Sequence, residues 1–154
     1  MIRTPALILA IIVLLPLTDL AEENDLYRYP RGTVSLKGVV IKVVSAGELV
    51  LWEKGNLHPF RLYGISLPDS QSPRGQNAKK KVSDMIFNTL LDVHLLSDES
   101  PTPSGVVIIR GNCLNKTLVH MGLAEVDDSC RVPEFCDQWK AAQKKPVTKS
   151  LPTP

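Results

Sequence analysis

A strong excess of either charge is lacking in this chain. Its 154 residues carry 18 Lys and Arg against 16 Asp and Glu, a formal net charge of +2. That balance excludes a polycation held to nucleic acid by bulk charge. Aromatic residues are scarce at 5%. Trp52, Phe60 and Tyr63 are too few for the row of stacking rings on which a single strand is often laid. Three cysteines and three histidines (His58, His94, His120) show no ligand spacing, which argues against a structural zinc site. There is no internal repeat. Long apolar runs are also missing, with one exception at the N-terminus.

Fifteen of the first 21 residues are apolar. Arg3 precedes an uncharged stretch from Pro5 to Leu17, and Asp19, Glu22, Glu23 and Asp25 follow it. A basic flank and a short apolar centre describe a secretory signal, and the run is shorter than the roughly 20 residues of a full span. Residues 1–21 are therefore read as a signal peptide or an uncleaved signal anchor. Both put the following domain on the non-cytoplasmic side, secreted or lumenal in the first case and single-pass membrane-anchored in the second. Contact with a membrane is expected only through residues 5–20, if the leader is retained. Without the leader the composition is that of one soluble domain of ordinary size.

Residues 22–34 read as a linker and residues 35–145 as the domain. Residues 146–154, rich in Pro, Thr and Ser, read as a disordered tail. Within the domain, Ser35–Val44, Leu49–Trp52 and His58–Ile65 have the β-branched, partly alternating pattern of strands joined by short turns. A helix is expected from Gln76 to Leu91, where Ala78, Val82, Met85, Ile86 and Leu90 recur at helical spacing. Strands follow at Asp92–Ser97 and Gly105–Arg110. Asn115 is placed to cap a helix over Lys116–Gly122, and a last helix runs over Glu134–Lys145. Asn115-Lys116-Thr117 is also a glycosylation sequon, usable only if exposed.

This order predicts an α+β, mainly β domain: a five-stranded oligomer-binding (OB-fold) barrel with about three helices. Cys130 and Cys136 lie six positions apart in a loop-like stretch. They either form a small disulfide or stay as two buried thiols, and an oxidising compartment favours the bridge. Cys113 is left as a small core residue.

Three segments carry a family resemblance. Val39-Val-Ile-Lys-Val-Val-Ser-Ala-Gly-Glu-Leu-Val-Leu51, Phe60-Arg-Leu-Tyr-Gly-Ile-Ser-Leu-Pro-Asp69 and Leu114-Asn-Lys-Thr-Leu-Val-His-Met-Gly-Leu-Ala-Glu-Val126 together resemble the staphylococcal nuclease-like (thermonuclease) domain, in the same order and at matching spacings. The resemblance implies a site in which two aspartates and a carbonyl hold calcium, a glutamate acts as base and two arginines stabilise charge on the phosphate. Most of those positions are replaced. The first metal aspartate falls in the turn Ser45-Ala46-Gly47, with only Glu48 acidic beside it. The second falls on Ser66 and the carbonyl donor on Leu67. The base falls on Asp69 and the first arginine on Arg61. The second arginine belongs in the loop before the fifth strand, which holds no cation, and Arg110 stands at the far end of that strand. Calcium is accordingly not expected as a cofactor.

Arg61 and Asp69 read either as catalytic remnants or as members of a structural ion pair. Arg74 with Lys79, Lys80 and Lys81 forms one candidate binding patch, and Lys140, Lys144, Lys145 and Lys149 another, although a solvated helix face explains Lys79–Lys81 equally well. The expectation is a catalytically inactive module that binds an unidentified protein or single-stranded nucleic acid. The alternative is a weak or altered phosphodiesterase using Arg61 and Asp69.

Overall fold

The computed structural model describes residues 29–96 and 101–145. The expected leader, the tail after 145 and Lys149 lie outside the described residues.

Alternation builds the first three strands. In β1 (Val34–Val43), β2 (Glu48–Glu53) and β3 (Asn56–Leu62), Val40, Leu49, Leu51, Phe60 and Leu62 point inward and are buried. The three pair as an antiparallel meander, with a bulge in β1 between Val40 and Lys42. A bulge adds local bend and twist, which a strongly curved sheet requires. The third strand ends earlier than its apolar pattern implies. Gly64 takes a positive φ of 65°, and Ile65–Ser66 form a separate short strand, β4.

The first helix, α1 (Pro73–Ile86), begins and ends before the Gln76–Leu91 range expected from periodicity. Ser72 accepts a hydrogen bond from the Gly75 N–H and Pro73 occupies the first turn, both helix-start signals. Asn88, in the left-handed region at φ 56°, stops the helix. Leu90, which the periodicity assigns to the buried helix face, is instead exposed at the start of β5 (Leu90–Leu96). Ala78, Val82 and Ile86 form the buried stripe.

The strand β6 (Ser104–Ile109) has consecutive buried residues, Gly105, Val106 and Val107, because both its faces are covered. A two-residue β7 (Asn112–Cys113) leads directly into α2 (Leu114–His120). A last short strand, β8 (Glu125–Val126), pairs with β4, and α3 spans Pro133–Gln143. The protein is thus α+β and mainly β, with a six-stranded sheet and three helices among the described residues.

The sheet runs β3-β2-β1-β5-β6-β7, and β3 pairs in parallel with β6 through Arg61–Ser104 and Leu62–Gly105. The pairings therefore return to β3 and close the sheet on itself. The seam is short, and Asn115 extends it. Asn115 does not cap α2. It is fully buried, accepts from the Val107 N–H at 3.1 Å and donates to the carbonyls of Tyr63 (2.9 Å) and Gly105 (3.3 Å). The N-cap position belongs to Cys113 and has no side-chain bond. Burial also makes the sequon unusable in the folded chain.

Helix α3 adds its aromatic residues to the same buried core. Phe135 and Trp139 of α3 stack 5.6 Å apart between centroids, and Tyr63 meets Trp139 edge-on. Tyr29, in the segment read as linker, stacks on His94 at 3.8 Å and also meets Phe135. Burial, followed by nearby Cys113 and Asp92, pushes the Tyr29 phenol up to about 12. Cys130 and Cys136 form a disulfide across Gly64, where a Cβ would lie 2.9 Å from both the Cys130 sulfur and the Trp139 ring. Such a bond is the mark of a non-cytoplasmic compartment. Cys113 is a buried core residue. Among the described residues no helix is long and apolar enough to cross a membrane.

Candidate functional site

The positions to which the resemblance assigns metal, base and first-arginine roles converge on one open cleft of about 440 Å³ at the β3 end of the sheet. The turn from Ser45 to Glu48 forms one side, and Ser66–Ser70 the other, with Arg61 and Asp127 completing the lining. Glu48 and Arg61 are direct cross-strand partners, and their side chains form an ion pair of 3.1 Å. The ion pair of Arg61 is thus with Glu48 and not with Asp69. Both side chains are about half exposed (56% and 42%), so the pair contributes little stability.

The turn that resembles a metal-binding turn is closed on itself. The Ser45 hydroxyl accepts from the Gly47 N–H, and the Gly47 carbonyl accepts from Leu62. Neither Ser45 nor Gly47, the residues flanking Ala46 in this turn, carries a carboxylate. On the other side Asp69 is used locally. Its carboxylate accepts from the Gln71 N–H at 3.0 Å, and its carbonyl accepts from both the N–H and hydroxyl of Ser72. That carbonyl lies so close to the first turn of α1 that Gly75 has no room for a side chain: a Cβ would stand 1.9 Å from it. Ser66, in β4, is exposed.

Asp127 was not foreseen. It follows β8, whose pairing with β4 carries it to the cleft. Hydrogen bonds from the side chain and N–H of Ser129 hold its carboxyl below the usual value. Its only sequence signal is that it directly follows the Leu114–Val126 motif, and one acidic residue there is unremarkable. Glu48, Asp69 and Asp127 thus line the same cleft, each engaged by its own neighbour. Among the described residues no three His, Cys, Asp or Glu side chains are grouped so as to hold a metal ion. A hard dication wants six or more oxygen ligands, and neither Ser66 nor the Ser45–Gly47 turn brings a carboxylate.

Arg110 is not part of this end of the sheet. Arg61 pairs with Ser104 at the start of β6, and Arg110 follows the other end, about 20 Å away at 3.3 Å per residue.

The candidate basic patch on α1 is dispersed. Successive residues turn by about 100°, so Lys79, Lys80 and Lys81 face three directions. Lys80 pairs with Asp84 at 2.7 Å, and Arg74 donates to the Gly122 carbonyl at 3.4 Å. Arg74 lines a separate small pocket with Ser66 and Glu125. Lys140, Lys144 and Lys145 are exposed on and just after α3.

On the other side of Arg61 lies a second cleft, of about 500 Å³, which Arg31 and Arg131 also line. Neither was singled out in the sequence, since Arg31 lies in the presumed linker and Arg131 inside the disulfide loop. No family model matches this chain, and no curated protein matches it.

Proposed function

We propose that this is a staphylococcal nuclease-like domain built on an OB-fold barrel, and that it acts as a non-catalytic binding module in a secreted or membrane-tethered protein. The partner is a single-stranded nucleic acid or a protein. The fold part of this reading draws support from strand order: a meander β1-β2-β3, a helix, then β5 beside β1 and β6 closing on β3, which is the Greek-key connection of that barrel.

One observation carries the functional part. The turn that would supply the first metal ligand is Ser45-Ala46-Gly47, which carries no carboxylate, while Arg61 remains at the mouth of an open cleft. A cation able to meet a phosphate is kept, and the turn lacks the carboxylate that would help to hold calcium. Loss of one such electrostatic element costs roughly 10²–10³ in rate. The alternative, a weak phosphodiesterase, draws on Glu48, Asp69 and Asp127 lining the cleft that also holds Arg61.

Incubation with single-stranded DNA and with RNA in the presence of calcium tests both readings. The expected result is no cleavage, with or without Arg61. Product that forms with the native chain and vanishes in Arg61→Ala would establish the phosphodiesterase and overturn the module. In the same samples at low salt, oligonucleotide binding should weaken as salt is raised. Absence of binding at low salt removes the nucleic-acid partner and leaves a protein.

A further inference from the structure

Residues that alternate with the buried ones of β1, β2, β3 and β5 face outward, and register brings four apolar ones into line. Leu57 of β3 stands opposite Trp52 of β2, Trp52 opposite Val39 of β1, and Val39 opposite Leu90 of β5. Leu57 is 61% exposed, Trp52 47% and Leu90 57%. Ile41, the extra residue of the β1 bulge, and Phe87, three residues before Leu90, are exposed as well. None of these residues lines the clefts beside Arg61. A row of exposed apolar side chains across four strands differs from the scattered single ones of an ordinary surface.

Three features say what covers it. First, β1, β2 and β5 each have a neighbouring strand on both sides. The face therefore presents side chains over a paired backbone, as contact with hydrocarbon requires, and offers no edge to an added strand. Second, its flanking cations are free to meet anions. Lys42, across from Val50, and Lys54, in the turn between Trp52 and Leu57, are exposed and outside the ion pairs formed among the described residues. An exposed Trp with aliphatic neighbours and flanking lysines has the composition of a surface that sits at the headgroup boundary of an anionic bilayer. Third, Tyr29 stacks on His94, which alternation places on the same face of β5 as Leu90. The two positions are about 13 Å apart at 3.3 Å per residue. The sequence ahead of Tyr29 thus joins the domain on the face that carries the row.

We infer that the outer face around Trp52 docks on an anionic lipid surface, with Trp52, Leu57 and Leu90 at the headgroup boundary and Lys42 and Lys54 on lipid phosphates. This goes beyond a membrane contact confined to residues 5–20, and rests on the tethered form of the proposed function only for holding the domain near a bilayer.

The test uses the full chain with its disulfide intact, mixed with vesicles of phosphatidylcholine alone or with phosphatidylserine added. Trp52 reports directly, because the other tryptophan, Trp139, is fully buried. Emission is expected to shift to the blue and to be quenched by lipid brominated in its acyl chains, and Trp52→Phe should abolish both changes. Leu57→Asp with Leu90→Asp, both at exposed positions, should cut the quenching several-fold, and Met121→Asp, exposed on another element, should leave it unchanged. Equal quenching on neutral and anionic vesicles overturns the role given to Lys42 and Lys54. Flotation of the chain with vesicles while Trp52 stays open to aqueous iodide and untouched by brominated lipid overturns the docking face and leaves the tether standing. Quenching with flotation that disappears in the Leu57→Asp, Leu90→Asp variant keeps the face and removes the tether through residues 5–20. Shielding of Trp52 without vesicles, lost on dilution, makes the face an interface between copies of the chain and overturns the lipid.

Discussion

Asn115 makes three hydrogen bonds to backbone groups where the parallel pairing of β3 and β6 gives out. Removing its amide would leave buried donors and acceptors unpaired, at about 1–3 kcal/mol for each group lost. Asn115→Ala should therefore lower unfolding stability by about 2–4 kcal/mol, read from the denaturant midpoint, and Asn115→Asp should also destabilise because a carboxylate cannot donate to the Tyr63 carbonyl. His94 offers a different lever. It stacks under Tyr29 and bonds the Ser35 hydroxyl at 2.9 Å. Burial lowers its pKa below the ordinary 6.5, with Asp92 partly opposing. A depressed pKa means that the unfolded chain takes up the proton first. Stability is thus intact above about pH 6.5 and falls as the pH drops through the lower folded value. Thermal midpoints at about pH 8 and pH 5 should differ less in His94→Gln than in the native chain.

At the level of elements, α1 illustrates how far local pattern reaches. Its apolar stripe is plain in the spacing of Ala78, Val82 and Ile86, because a helix buried on one face has to repeat that way. Its start is set by Ser72 and by the approach of the Asp69 carbonyl to Gly75, which no spacing reveals. Gly75→Ala should melt the first turn or displace the Ser66–Ser70 side of the cleft, with a loss above the few tenths of a kcal/mol that an exposed helix substitution costs. Hydrogen exchange at the Gly75–Ala78 amides would read this directly. Strand β6 was legible for the opposite reason: an unbroken run from Val106 to Ile109 marks a strand covered on both faces. Asn115 was misplaced because a residue of its type ahead of a helical run has cap chemistry, and only the neighbouring strands show that its amide turns inward.

Across the molecule, the disulfide ties the loop before α3 to the barrel seam through Gly64 and the Tyr63 hydroxyl. Closing so short a loop is worth about 2–3 kcal/mol of chain entropy. Reduction should lower the unfolding free energy by that amount, read from the shift in denaturant midpoint, and Cys130→Ser with Cys136→Ser should match the reduced protein. The sequence carried the strands, the helices, the paired cysteines and most residues of the cleft around Arg61, because each depends on local periodicity, turn chemistry or a short motif. It did not carry Asp127 as a member of that cleft, the pairing of Arg61 with Glu48, or the meeting of Arg31, Arg61 and Arg131. The Arg61–Glu48 pair depends on the register of β2 against β3, and the rest on tertiary closure such as the parallel β3–β6 seam and the short β4–β8 ladder, which join residues about 40 to 60 positions apart. A charge balance of +2 is silent on the matter, since a count of charges is indifferent to where the chain brings them together.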